Sequence, residues 1–255
     1  MKTKEELKLY FENGDKPTQD HFWQWQDSYW HKDEKIDMTK INGLENGLPS
    51  LNEIYAETNN DGTASLASYF RKKMHIDSGT LTIPENFANS LSLTELSIPN
   101  GVISIGTSAF LNNKLKSLMI PDSVTHIGPA AFQNNFLTSL IISKSTTEIS
   151  DYAFANNKLT TVDIPDSVIR IKPAAFSNNQ ITDINISNSV THIELAAFTS
   201  NKLTNVNIPD TVLSIGEFAF TYNQLTTVTL GENTTYYFTS FDQNVEVIGG
   251  QLIQS

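Results

Sequence analysis

One spacing governs most of this chain. Shifted against itself by 22 residues, the sequence aligns Leu93, Leu115, Leu137, Leu159, Ile181, Leu203 and Leu225 in one column. A second column holds Phe110, Phe132, Phe154, Phe176, Phe198 and Phe220, each preceded by alanine, and a third holds Asn113, Asn135, Asn157, Asn179, Asn201 and Asn223. The unit reads L-x-x-L-x-I-P-x-x-V-x-x-I-x-x-x-A-F-x-x-N-x. A period of this length means stacked supersecondary units, because one unit alone cannot enclose its own apolar side chains.

The unit predicts its own local structure. In Leu115-x-x-Leu118-x-Ile120, positions 118 and 120 share a face with period two, which marks a short strand. Pro121 ends that strand, as Pro99, Pro165 and Pro209 do in their repeats. Val124, Ile127, Ala131 and Phe132 supply the opposite wall. The strands then pair in parallel about 4.8 Å apart. The asparagine column is expected to form a ladder, each side-chain amide bonding backbone of the adjacent turn.

These motifs resemble the BspA-like class of leucine-rich repeats, whose units carry I-P…V-x-x-I-G-x-x-A-F, over about residues 91–230. Gly106, Gly128 and Gly216 fit the class glycine, while Ser150, Lys172 and Glu194 depart from it, and the repeat at Lys144-Ser-Thr-Thr lacks both Pro and Val. The fold expected is therefore a repeat solenoid of 22-residue units with a parallel β-sheet on one face, preceded by a small α-helical N-terminal segment. The resemblance implies adhesion or protein binding rather than enzymatic activity.

Within that frame, the residues between the buried strand positions face the open side of the sheet. They include Met119 beside Ile141, an apolar spot on an otherwise polar surface, followed by Asp163, Asp183 and Asn185. An apolar spot next to carboxylates suits a ligand contact, and Met and Ile also suit simple cross-strand packing. These five residues are the candidate ligand-binding set. The threonine column (Thr94, Thr138, Thr160, Thr182, Thr204, Thr226) fits β-propensity as well as it fits a glycan-facing array. The row Ser104, His126, Glu148, Arg170, His192, Ser214 reads as a solvated charge ladder. His126 and His192 are three repeats apart, roughly 14 Å at the stacking distance, too far to share a metal ion.

Composition narrows the partners. A net charge of −11 disfavours nucleic acid and anionic membrane surfaces. There is no cysteine, hence no disulfide or thiolate metal site. No run of about 18 apolar residues is present to span a bilayer. Phosphate-cradling glycine loops, G-x-S-x-G and H-E-x-x-H are all missing, so neither an enzyme nor a cofactor or metal is expected.

The organisation read from the sequence has four parts. Residues 1–60 form a helical, Trp-rich attachment or oligomerisation module, 61–92 an N-terminal cap, 93–230 the solenoid, and 231–255 a C-terminal β cap. In the first part Thr3 and Glu6 fit a capping box, and Phe22, Trp23, Trp25, Tyr29 and Trp30 cluster on a second helix. That cluster suits either a small aromatic core or a docking face. The cap is expected to hold a helix from Ser65 to Lys73 and an irregular coil from Leu81; the C-terminal part, two strands around Asp242.

The first 50 residues are similar to the N-terminal module of phage and prophage tail-fibre-type proteins, with Ile41-Asn-Gly-Leu resembling the fibre neck. That resemblance implies a virion attachment protein whose solenoid binds a host-surface protein or glycan while the N-terminal module joins a particle or itself. A BspA-like cell-surface adhesin and an internal scaffold are the alternatives. With Met1 as the start, no apolar signal segment follows. Cytoplasmic synthesis and a virion location are then expected, with the cell surface as the alternative.

Overall fold

The computed structural model describes residues 73–76 and 79–253. The expected helices, the aromatic cluster Phe22, Trp23, Trp25, Tyr29 and Trp30, and the neck lie outside the described residues. Most of the helix expected at Ser65 to Lys73 does so too, but its last residue, Lys73, begins a strand instead.

The described residues form a parallel β-solenoid of stacked coils. Each coil has a strand on a first face: β1 (Lys73–His75), β3 (Glu95–Ser97), β5 (Ser117–Met119), β7 (Ser139–Ile141), β9 (Thr161–Asp163), β11 (Asp183–Asn185), β14 (Thr227–Thr229) and β16 (Glu246–Ile248). Asn205–Asn207 fills the equivalent place without strand pairing. The opposite face carries β2 (Thr82–Ile83), β4 (Ser104–Ile105), β6 (His126–Ile127), β8 (Glu148–Ile149), β10 (Arg170–Ile171), β12 (His192–Ile193), β13 (Ser214–Ile215), β15 (Thr235–Tyr237) and β17 (Gln251–Ile253). The expectation of a sheet on one face is thereby corrected to two. The row from Ser104 to Ser214, expected to be a solvated ladder, is the outward position of this second face, whose strands form two ladders, β2–β4–β6 and β8–β10–β12–β13–β15–β17. Ile127, Ile149 and Ile171 point inward beside it and are buried.

The core follows the repeat. Leu115, Leu118, Ile120, Val124, Ile127, Ala131 and Phe132 are all buried. Of the positions equivalent to Leu118, Val162, Ile184 and Val228 are buried, while Leu96, Leu140 and Val206 are partly so. The phenylalanines stack: Phe132–Phe154 lie 5.8 Å apart at 4°, and Phe176–Phe198 5.5 Å apart at 1°. The stack continues one step beyond the sequence alignment, to Phe241, 5.5 Å from Phe220. Phe241 falls 21 rather than 22 residues on, where a 3-10 turn at Phe238–Ser240 shortens the last coil.

Both ends differ from expectation. The segment from Leu81 is a regular coil, with β2 in register with β4, but Phe87-Ala88 inverts the usual order. Ala88 takes the inward slot, and Phe87, 47% exposed, lies edge-on to Phe110 at 6.3 Å. At the C-terminal end three strands replace the expected two. β16 extends the first face beside β14, and β17 extends the second beside β15, so the two are not paired with each other.

Side chains hold the coils in step. The carbonyl oxygen of Asn157 accepts the N–H of Leu137, and its amide donates to the carbonyls of Phe132, Phe154 and Ala155. Asn113, Asn135, Asn179, Asn201 and Asn223 repeat this set. Where the repeat is irregular, polar groups compensate. Ser143 stands in the proline slot and Thr146 in the valine slot, both buried, and both hydroxyls donate to the carbonyl of Val124. Each coil also turns through two left-handed residues, such as Ala130 (φ 54°) and Asn134 (φ 56°). That conformation costs a non-glycine residue about 1–2 kcal/mol. Their N–H groups donate to Asp151 and Ala155 of the next coil, so coil stacking selects the conformation.

Candidate functional site

The first face is built from the outward residues of its strands. Met119 stands opposite Ile141, with 64% and 53% of their surfaces exposed. Asp163 stands opposite Asn185 in the neighbouring two-stranded ladder, and both are exposed. Asp183 faces Thr161, not Asp163. The two carboxylates are therefore diagonal neighbours on adjacent strands. All five candidate residues do share one exposed face, in the order of their coils.

Two rims border this face, and the sequence reading passed over both. Where the strands begin, Lys114, Lys116, Lys158 and Lys202 are exposed. Where they end, Asp122, Asp166, Asp210 and Glu232 are exposed, interrupted by Lys144. Six to eight residues separate the rims, at most roughly 20–26 Å at about 3.3 Å per residue. That exceeds the ~8 Å screening length of physiological salt, so the rims present themselves as separate patches of opposite sign. Lys158 lies 4.6 Å above the ring of Phe136, Asp122 accepts the N–H of Lys144, and Asp166 accepts the Ser187 hydroxyl. None of these rim charges forms an ion pair among the described residues. The signal was present as the 44-residue spacing of Lys114, Lys158 and Lys202.

On the second face the charges do pair. Arg170 donates from Nε (3.1 Å) and Nη2 (2.7 Å) to one oxygen of Glu194, not to Glu148 as a ladder along its own row requires. Lys172 reaches Glu148 at 3.6 Å and Glu194 at 3.9 Å. Glu194 and Lys172 occupy the slot where Gly106, Gly128 and Gly216 stand in other coils. At Gly216 a Cβ would meet the backbone nitrogen of Leu195 at 2.6 Å. Burial, followed by the neighbouring Arg170 guanidinium, holds the His192 imidazole below its ordinary value, against a smaller opposing pull from Glu194.

Among the described residues, no cluster of three or more His, Cys, Asp or Glu side chains is arranged to hold a metal ion. No helix there is long and apolar enough to cross a membrane.

Comparison with known proteins agrees with this architecture. The BspA type leucine rich repeat region matches in six copies, over residues 68–181 and 126–247. A leucine-rich repeat protein from Bacteroides ovatus superposes with a TM-score of 0.51 at 20% identity, covering 70% of this chain and 63% of that one. A leucine rich cell surface protein from Faecalibacterium prausnitzii gives 0.46 at 23% identity, covering 72% and 60%. The pneumococcal vaccine antigen PcpA gives 0.40 at 15% identity, covering 71% and 79%. This chain spans less than two thirds of the Faecalibacterium and Bacteroides chains. No curated protein matches it. With its repeats matched over well over half of its length, the chain belongs to the BspA type leucine-rich repeat family.

Proposed function

We propose that this chain is a non-enzymatic binding protein that holds another protein or a surface glycan on its first face. The observation carrying this reading is the exposed Met119–Ile141 pair set between rims of lysines and carboxylates that form no ion pair among the described residues. Apolar contact in the centre supplies affinity, and flanking charge supplies orientation and partner selection. Asp163, Asp183 and Asn185 continue the face beyond the apolar pair. A membrane or nucleic acid is the wrong partner for a chain of net charge −11.

The finer reading is a phage or prophage tail-fibre-like attachment protein. It rests on the N-terminal sequence, with Phe22, Trp23, Trp25, Tyr29 and Trp30 as the docking cluster and residues 41–48 as the neck. A BspA-like surface adhesin uses the same first face and is favoured by the family itself.

The test is a cell-binding assay with the fluorescently labelled full chain on bacterial and host cells. Ile141→Lys combined with Asp163→Lys should abolish saturable binding while leaving the urea midpoint in place. Undiminished binding by that variant would discard the first face as the site. Co-purification of the chain with tail-like particles, lost on Trp25→Ala with Trp30→Ala, selects the attachment reading over the adhesin.

A further inference from the structure

The second face contains a notch that the repeat does not call for. Along its outward rows, Ser214 follows Arg170 and His192, while Gly216 follows Lys172 and Glu194. Two minimal side chains thus stand side by side after four large ones. In the next coil the rows resume with Thr235 and Tyr237, and Ile253 lies beyond Tyr237 in β17. The gap left at Ser214 and Gly216 is a cavity of about 360 Å³. It is open to solvent on its outer side, with room for one small ring.

Its walls differ in character. One wall is polar: Arg170, His192 and Glu194. The other is aromatic and apolar: Tyr237 and Ile253. The polar wall is preorganised. Glu194 is gripped by Arg170 at 2.7 Å and backed by Lys172, and Nδ1 of His192 lies 2.8 Å from the Thr191 hydroxyl, while Nε2 has no hydrogen-bond partner among the described residues. The Glu194 charge is already balanced, and the imidazole favours its neutral form. Glu217 adds a further carboxylate to the lining, which disfavours an anion, and the site offers donors and acceptors together: imidazole, carboxylates, guanidinium and the Ser214 hydroxyl.

We propose that this notch binds a single neutral pyranose ring, with the C–H face of the sugar against Tyr237 and its hydroxyls on Glu194, His192 and Ser214. A sugar ring has the same division, one apolar face and an edge of groups that both donate and accept. The site is separate from the first face and does not depend on it. The ring is either a free monosaccharide or the end of a glycan chain.

The experiment is saturation-transfer NMR on the full chain with the methyl pyranosides of glucose, galactose, mannose and N-acetylglucosamine, each at up to 20 mM. One ring should show transfer with a Kd on the order of 1–10 mM, as expected of a small ligand in an open site. Ser214→Tyr, which fills the notch, and Glu194→Gln should each weaken it at least tenfold, while Met119→Ser leaves it unchanged. A urea midpoint for each variant separates lost binding from lost folding. Equal binding of an oligosaccharide ending in the same ring identifies a glycan terminus, and binding of the methyl glycoside alone identifies a free sugar. Transfer from none of the four, or transfer that persists undiminished in a folded Ser214→Tyr variant, overturns the proposal. Neither result bears on cell binding through the first face, which is read from Ile141→Lys.

Discussion

The side-chain carbonyl of Asn157 accepts the backbone N–H of Leu137, 20 residues earlier, at 3.0 Å. The same side chain donates to three carbonyls, those of Phe132 (3.0 Å), Phe154 (3.1 Å) and Ala155 (3.2 Å). It thus satisfies backbone on two coils from a buried position. Asn157→Ala leaves the Leu137 N–H without a partner, while the carbonyls of Phe132, Phe154 and Ala155 keep the Asn135 and Asn179 amides and the Asn134 N–H. It should cost about 1–3 kcal/mol, the cost of one unsatisfied buried group. Asn157→Asp keeps the acceptor but loses both donors and buries a charge, and should be no better. Urea unfolding of the full chain at pH 7 measures both.

Phe154 is fully buried between Phe132 and Phe176, at 5.8 and 5.5 Å. Phe154→Ala should destabilise by about 3–5 kcal/mol through lost burial and the cavity left behind. Phe87→Ala removes the same side chain from an exposed place at the N-terminal coil and should cost no more than about 1 kcal/mol. The contrast between the two midpoints tests the inverted Phe87-Ala88 order directly.

Met119 and Ile141 are expected to separate stability from binding. Their side chains point out of the coil, so Met119→Ser with Ile141→Ser should shift unfolding by no more than about 0.5 kcal/mol. The same pair should weaken first-face binding strongly, and isothermal titration with the partner found in the cell assay reads this. A large loss of stability would mean the pair is packing and not a contact surface.

Acid should weaken the C-terminal half. His192 takes up a proton less readily in the folded chain than at its ordinary 6.5, first because of burial and then because of Arg170. Between the lowered folded value and 6.5, the unfolded chain binds more protons, so stability falls as pH drops through that window. Above 6.5 this contribution is constant. His192→Gln should flatten that part of the slope between pH 7.5 and 5, measured as the change in urea midpoint, and NMR titration of the imidazole should give the lowered value directly.

The turn between the last two strands depends on glycine. Gly249 has φ +78°, and a Cβ there would sit 2.4 Å from the carbonyl oxygen of Leu230. Gly249→Ala should therefore loosen β17 while leaving the interior coils intact. Hydrogen exchange should speed up at Gln251–Ile253 and stay unchanged at the Phe132–Phe198 coils.

The period of 22 made most of this legible. Inward positions, the phenylalanine stack and the bonding of the asparagines all follow from which residue types recur, because only one arrangement buries Leu115, Val124, Ile127 and Phe132 together. The second sheet was not legible in that way. From β2 to β13 its strands are two residues long, such as His126–Ile127, too short for alternation to register. The left-handed turns were hidden because Ala130, Tyr152 and Phe218 are not residue types that favour positive φ; bonding to the next coil imposes it. Phe241 was missed because a 22-residue shift passes over a coil one residue shorter. The rims and the notch depend on which coils happen to carry Lys, Asp, Ser214 or Gly216, and a consensus averages such differences away.

The asparagine bonds also make length a heritable quantity in its own right. Each reaches back a fixed 20 and 25 residues, so the duplication or excision of one whole unit between Asn135 and Asn201 re-forms every bond with an equivalent atom. Any other insertion inside a unit breaks the count. The scaffold can therefore lengthen or shorten by single steps with its interior unaltered, while the outward residues of each new copy drift freely. Reach and recognition are inherited separately.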